Sequence, residues 1–375
     1  MIFYLCISAA LGLFYLSLIC YYLVGWLKLS TFVTPSEFIP TTYVSVIIPA
    51  RNEENHIANI INCLLKQNYP KHLLEIIVVD DASTDGTAEI VKRYTNEGVR
   101  LLQQKQNDEN NAYKKRAIDY AISQCNSTII ITTDADCRVK ENWVRTIVAY
   151  QNKHKACFIS SIVVMNPAPT VFQQFQALEF AGLVGIGAAA LAHRHPNMCN
   201  GANVAYLKEA YYAVNGFHGN DTIPSGDDEF LMHKMFAAFP NGVLFLKSEE
   251  AIVSTLPAFK LKEFIHQRLR WVSKSTKYEN KRITQILAMC YLFNLTLLIN
   301  FVGMFFGPSW VWLFTIQMGL KIVFEGLLLR KVTHFIKSQK LLLWLIPEQL
   351  LHVVYVVIIG LLGNIKSYQW KGRKV

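Results

Sequence analysis

Thr128-Ile129-Ile130-Ile131-Thr132-Thr133-Asp134-Ala135-Asp136 is a β-branched run that ends in two carboxylates one residue apart. A short apolar run bounded by polar residues suits a strand buried on both faces, as in a parallel sheet. Two earlier segments have the same form. Residues 43–48 run into Pro49-Ala50-Arg51-Asn52-Glu53-Glu54, followed by an amphipathic helix carrying Ile57, Ile60, Ile61, Leu64 and Leu65. Residues 75–79 run into Asp80-Asp81-Ala82-Ser83-Thr84-Asp85-Gly86-Thr87. Strands alternating with helices predict an α/β fold, a Rossmann-like and mainly parallel sheet with helices on both faces. Ligands bind such sheets at the carboxyl ends of the strands, and all three acidic clusters fall there.

Each cluster has a chemical reading and a plainer one. Asp134 and Asp136 can point into one pocket and hold a hard divalent cation, Mg2+ or Mn2+, with diphosphate oxygens filling other positions. Alone, Asp-x-Asp is more often a solvated turn; its place after a strand, in line with two other clusters, gives it weight. Asp80 and Asp81 suit a helix cap, or acceptance of a hydrogen bond from a uracil ring N–H, the role favoured here. Lys114 and Lys115 open an amphipathic helix (Ala117, Ile118, Ala121, Ile122) and can neutralise a phosphate. In Ser225-Gly226-Asp227-Asp228-Glu229, three carboxylates begin a helix; one can serve as general base, or all can simply favour the helix dipole. Residues 256–271 form a basic, amphipathic helix suited to a membrane surface. Its Gln267, Arg270 and Trp271 offer an amide, a cation and a stacking face to a diphosphate and a sugar.

Taken together, residues 44–271 resemble the inverting family-2 glycosyltransferases of GT-A fold. The resemblance is to the membrane-embedded branch, with its polysaccharide synthases and ceramide glucosyltransferases. Pro49-Ala50-Arg51-Asn52-Glu53 stands at the family's P-x-Y/R-N-E, and Val78-Val79-Asp80-Asp81 at its nucleotide-binding strand end. Tyr113-Lys114-Lys115-Arg116-Ala117-Ile118-Asp119 stands at G-K-x-x-A-L-N, with Tyr113 for Gly and Asp119 for Asn. Asp134-Ala135-Asp136 is the metal motif, and Gly201-Ala202-Asn203 with Tyr206 resembles the acceptor-side segment, where Lys208-Glu209 replaces a basic pair. Asp227-Asp228-Glu229-Phe230-Leu231 aligns with T/E-E-D-x-x-L, and Gln267-Arg268-Leu269-Arg270-Trp271 with Q-x-x-R-W.

The resemblance implies inverting, metal-dependent transfer from a UDP-sugar donor to a membrane lipid or a growing glycan. Pro49, Ala50, Arg51, Glu53, Asp80, Asp81, Lys114 and Asp134 would bind the donor nucleotide, and Asp134 with Asp136 the metal. Gly201, Ala202, Asn203 and Asp227 would face the acceptor. Asp228 would be the base, while Gln267, Arg270 and Trp271 close the site. A lipid acceptor is preferred to a processive synthase, because four membrane segments make only a small translocation channel. A non-catalytic membrane scaffold that kept the fold is the remaining alternative, opposed by carboxylates at all four acidic stations.

The chain has 375 residues, 52% of them hydrophobic, and a mean hydropathy of +0.23. The excess is concentrated in residues 1–27, 283–332 and 341–365. The expected organisation is an N-terminal membrane helix (1–27), a GT-A domain (28–255), an interfacial helix (256–282), about three C-terminal membrane helices (283–365) and a basic tail (366–375). The first block lacks the basic start of a signal peptide and approaches the roughly 20 residues a bilayer needs. It therefore reads as a retained anchor. The segment 171–192, with Phe172, Phe175, Leu178, Phe180 and Leu183, reads as a further interfacial stretch.

Lys28 and the basic domain behind it place the amino terminus outside and the domain in the cytosol, on the cytoplasmic membrane. The last segment either crosses against that rule or turns back at Pro347. Lys321 and Glu325, and likewise Glu348 and His352, sit four residues apart within apolar helices; they either line a polar path or pair with one another. The formal charge of +10 is dispersed, so it fits anionic headgroups of the bilayer and no nucleic acid. Eight cysteines without a CxxC pair indicate neither a zinc ribbon nor a disulfide framework, and suit a reducing compartment.

Overall fold

The computed structural model describes residues 2–104, 112–166, 170–275, 277–363, 369–370 and 373–374. The chain forms two compact units. Leu29–Asn166 with Ala190–Leu256 is an α/β unit, and Met1–Lys28 with Pro167–Ala189 and Pro257–Lys374 is mainly helical.

The strands of the α/β unit are β1 (Val44–Ala50), β2 (Leu74–Asp81), β3 (Val99–Gln104), β4 (Ile129–Thr132), β5 (Arg138–Val139), β6 (Phe158–Ser161), β7 (Val163–Met165), β8 (Val204–Leu207), β9 (Val243–Leu246) and β10 (Val253–Thr255). Seven make one sheet in the order β3-β2-β1-β4-β8-β6-β9, and β5-β10-β7 make a second. β1 pairs in parallel with β2 on one side and β4 on the other. The chain leaves β1 first toward β2 and β3, then returns to β4 on its other flank. That reversal of strand order opens a crevice at the carboxyl ends. Val44, Val46, Ile47 and Ile48 of β1 are buried, as a strand covered on both faces requires.

The sheet is mainly parallel, as the sequence predicts, with one departure. β8 runs antiparallel to both its neighbours, β4 and β6. Its first residue, Val204, pairs with the last of β4, Thr132. The reversed strand therefore delivers the preceding turn, Gly201–Asn203, to the end of β4 that carries Asp134.

In the helical unit and its connection to the sheet, five helices are long and apolar enough to cross a bilayer. They are Ile2–Lys28, Val171–Ala192, Lys281–Phe306, Pro308–Phe335 and Gln339–Leu362. Val171–Ala192 is the one not expected as a span, since its Phe172, Phe175, Leu178, Phe180 and Leu183 read as an interfacial stretch; it also carries glutamines and Glu179. Those polar groups are instead turned inward within the helical unit. The Gln176 amide donates to the Ala258 carbonyl (3.0 Å) and accepts from the Ala258 N–H (2.9 Å), while Glu179 accepts from Arg268 (2.5 Å). Lys321 and Glu325 pair with each other at 2.9 Å. Gln349 bonds to both, and the Tyr15 hydroxyl donates to Glu325. Mutual pairing is thus the reading that holds for Lys321 and Glu325. Pro347 does not turn the chain back. It lies in the first turn of a helix, Leu345–Leu362, where the missing N–H would have no intrahelical partner anyway.

Candidate active site

The site is built from the carboxyl ends of β1, β2 and β4. Two loops leave β1 and β2 side by side, since Ala50 is in register with Asp80. Arg51 spans them, its guanidinium donating to the carbonyls of Asp81 (2.6 Å) and Ala82 (2.8 Å). Asn52 N–H donates to the Ser83 hydroxyl (3.0 Å), Glu53 N–H to the Thr87 hydroxyl (2.8 Å) and Glu54 N–H to Asp85 (3.1 Å). In the other direction, Thr84 N–H donates to Asn52 (2.9 Å) and Gly86 N–H to Glu54 (2.8 Å). Asn52 and Ala82 both adopt left-handed backbone, with φ of 52° and 50°, an uncommon state for a residue with a Cβ. Within this lacing Asp80 and Asp81 are buried, each 3% exposed. Asp80 accepts from the Ser83 N–H at 3.3 Å. Pro49 and Ala50 contribute backbone at the strand end.

Beside them, one ammonium joins the Asp134–Asp136 turn to the acidic helix start. Lys114 Nζ lies 2.9 Å from Asp134 Oδ1 and 3.2 Å from Asp227 Oδ2. Burial works to lower the Lys114 pKa, but the carboxylates of Asp134, Asp227 and Asp228 outweigh it and hold the group well above the usual lysine value. Burial likewise works to raise Asp227, and Lys114 outweighs it, keeping that carboxyl below its ordinary range. Asp228 Oδ2 accepts the Gly201 N–H at 2.6 Å, and its Oδ1 accepts the Glu229 N–H at 2.8 Å. Gly201 permits this convergence. A Cβ there would sit 3.1 Å from Lys114 Nζ, 3.1 Å from Asp227 Oδ2 and 3.4 Å from Asp228 Oδ2. Of the three consecutive acids, Asp227 and Glu229 are buried and Asp228 is half-buried.

Asp136 is fixed from another side, its Oδ2 accepting from the Thr255 hydroxyl at 3.1 Å on β10. Among the described residues, no group of three or more His, Cys, Asp or Glu side chains is placed to hold a metal alone. Two carboxylates of hard oxygen nonetheless fit Mg2+ or Mn2+, because such cations usually take one or two protein carboxylates and complete their shell with substrate phosphates and water. The arrangement suits a cation that shares its ligands with a diphosphate.

Two expectations are corrected by the packing. Asn203 is 1% exposed: its Oδ1 accepts from the Trp143 indole (3.0 Å), and its Nδ2 donates to the carbonyls of Ile162 (2.8 Å) and Ala251 (2.7 Å). Its amide is engaged inside the fold, so it braces the Gly201 turn instead of meeting an acceptor; Ala202 is buried beside it. Lys115 is also buried and donates to the carbonyls of Asn220 (2.6 Å) and Ile223 (2.9 Å), which removes it from phosphate duty. The anchoring roles of Thr255 and Trp143 carry no local motif and are not readable before the fold is known.

Gln267, Arg270 and Trp271 lie on the helix Leu261–Val272 of the helical unit. The sequence reading passes over Arg268 between them. Yet Arg268 is 1% exposed, as buried as Leu269 beside it. The signal for it was an extra arginine on the same helical stripe as Phe264 and Trp271.

Comparison with known proteins bears on the family and the fold. The model of "Glycosyl transferase family 2" matches residues 45–213. The chain is 32% identical over 110 residues to the poly(ribitol-phosphate) beta-N-acetylglucosaminyltransferase TarS of Staphylococcus aureus, covering 29% of this chain and 19% of TarS. It is 29% identical over 112 residues to the beta-monoglucosyldiacylglycerol synthase of Synechocystis, covering 30% of this chain and 23% of the synthase. The similarity thus spans about a fifth of each relative's length. The mannosyltransferase PcManGT of Pyrobaculum calidifontis, solved with GDP-mannose and Mn2+, superposes with a TM-score of 0.58 at 19% identity. That superposition covers 92% of this chain and 98% of PcManGT, and it shows a shared fold.

Proposed function

We propose, from the match of residues 45–213 to glycosyl transferase family 2, that the chain moves a sugar from a UDP-activated donor to a membrane-associated acceptor, with inversion. The observation that carries the reading is the convergence of Lys114, Asp227 and Asp228 around Gly201, with Lys114 also paired to Asp134 beyond the carboxyl end of β4. A phosphate-leaving reaction needs positive charge near a diphosphate and a base across from it. This cluster holds both kinds of group.

In the proposed roles, Asp80 and Asp81 with the Arg51–Glu53 loop receive the nucleotide, and Asp134 with Asp136 would hold Mg2+ or Mn2+. The cation, when bound, supplies Lewis-acid stabilisation to the departing diphosphate. Asp228 takes the acceptor hydroxyl proton as that oxygen bonds to the anomeric carbon, while the bond from that carbon to the diphosphate breaks on the opposite face. Asp228 is favoured over its neighbours because Asp227 is tied to Lys114 and Glu229 is buried. Gln267, Arg270 and Trp271 keep the amide, cation and stacking roles that the family resemblance implies. A beta product, as in the printed names of both relatives, is what inversion yields from an alpha-linked donor. The name of the Synechocystis relative supports a lipid acceptor over a growing glycan.

The test uses the full chain in detergent with Mn2+, a lipid extract, and a panel of UDP-sugars with GDP-mannose as comparison. Nucleoside diphosphate release from a UDP-sugar is expected, falling by about 10²–10⁴-fold in Asp228→Asn and abolished by a chelator. Radiolabel in a small organic-soluble product is expected; an ethanol-insoluble polymer would instead indicate a synthase. No release from any donor, or equal release by the variant, sinks the catalytic reading.

A further inference from the structure

The helical unit buries a charge that the proposed chemistry does not use. Arg268 sits at the middle of the amphipathic helix Leu261–Val272, 1% exposed. Its Nη2 donates to Glu179 Oε2 at 2.5 Å, on the long apolar helix Val171–Ala192. Its Nη1 donates to Gln267 Oε1 at 3.1 Å. The guanidinium carbon lies 4.2 Å from the centre of the Trp271 ring and 4.6 Å from that of Phe264. Phe264, Arg268 and Trp271 form one stripe at spacings of four and three, the spacings at which helix side chains meet.

A buried ion pair is a poor device for stability, because desolvation cancels much of its attraction. What it supplies is geometry. A planar guanidinium has a fixed fork of donors and two flat faces; here the fork engages Glu179 and Gln267 while Trp271 and Phe264 lie against the group. One turn earlier on the Val171–Ala192 helix, Gln176 grips the backbone of Ala258 in both directions, just ahead of the Leu261–Val272 helix. Two pegs on the same helix face thus set where the motif helix begins and how it is rotated.

We propose that Arg268, clamped by Glu179, is the positioning residue that orients Gln267 and Trp271 for sugar transfer. The inference rests on the transferase reading above. Arg268 touches no substrate in this role; it acts through its two neighbours. Lysine cannot replace it, since an ammonium can pair with Glu179 but presents no plane to the indole.

A double-mutant cycle tests this with the full chain in detergent, reading UDP release from UDP-sugars in the presence of lipid extract. Arg268→Ala and Trp271→Ala are each expected to lower kcat on the order of 10- to 100-fold, the cost of a misplaced reacting group. The double variant is expected to be no worse than Trp271→Ala, because both changes remove one arrangement. Arg268→Lys and Glu179→Gln, gentler changes should Arg268→Ala not fold, are expected to yield monodisperse protein with kcat reduced about tenfold and the donor KM nearly unchanged. Additive losses in the cycle, full kcat in Arg268→Lys, or wild-type turnover in either Arg268→Ala or Trp271→Ala would overturn the positioning role while leaving the transferase reading in place. No turnover by the wild-type chain with any donor would remove both.

Discussion

Lys114 shows how much of a site a single side chain can organise. Its place near acidic clusters is legible in the sequence, but its partners are not, since Asp134 and Asp227 come from later segments that only the fold brings to it. Sequence suggests a lysine for the phosphate; the fold has it neutralising carboxylates first. Removing it leaves Asp227, a buried carboxylate, beside Asp228 without its ion-pair partner, although the charge of Lys115 still acts on it. Lys114→Ala is therefore expected to destabilise the α/β unit by about 3–5 kcal/mol, the usual cost of orphaning a buried charge, and to abolish nucleotide-sugar turnover. Denaturant unfolding monitored with UDP release checks both; a variant as stable as wild type would refute the ion-pair assignment. Asn203 makes a related point. Its position in an acceptor-side motif is readable, whereas its three hydrogen bonds to Trp143, Ile162 and Ala251 come from segments that sequence cannot bring together.

At the level of elements, the acidic stations were readable because β-branched runs announce buried strands and polar runs announce their ends. The direction of β8 was not, because a strand of four residues, Val204–Leu207, carries no directional signal. Nor was the burial of Gln176 and Glu179, since a polar side chain on an apolar helix reads the same whether it faces headgroups or a partner. The start of the helix Thr87–Lys92 gives a test at this scale. Asp85 Oδ1 accepts from the Thr87 N–H (3.0 Å) and hydroxyl (2.5 Å), and its Oδ2 from the Glu54 N–H (3.1 Å). Partial burial works to raise its pKa, and these hydrogen bonds outweigh it, holding the carboxyl below its usual value of 3.8. A depressed pKa means the stabilisation is present above that value and is lost as pH falls through the lower folded one. Asp85→Asn keeps one acceptor oxygen and loses the other with its charge, and is expected to lower stability at pH 7 by about 1 kcal/mol, the net worth of one hydrogen bond. The gap between the two proteins should close on acidification below about pH 4. Thermal midpoints at both pH values decide it, and a gap that persists in acid would contradict the carboxylate's role.

On the scale of the whole molecule, composition separated apolar blocks from polar sequence, but it could not show that residues 167–189 group with the helical unit. Orientation is tested by labelling single-cysteine variants with an impermeant maleimide in intact cells. Cys6, exposed near the start of Ile2–Lys28, is expected to react from outside, and Cys63, in the helix Ile57–Leu65, only after permeabilisation. The reverse pattern would overturn a cytosolic α/β unit. The same grouping makes the α/β unit discontinuous in sequence, with Pro167–Ala189 lying between its two parts. A ribosome releases β1 to β7 first, then this apolar helix, and only afterwards β8, which fills the place between β4 and β6. Until then β4 has an open edge where β8 belongs, and Asp134 lacks the Gly201 turn and the Asp227–Asp228 pair. Synthesis is thereby ordered: the apolar helix leaves the ribosome before the strand that completes the sheet, so the charge cluster forms only after that helix has been made.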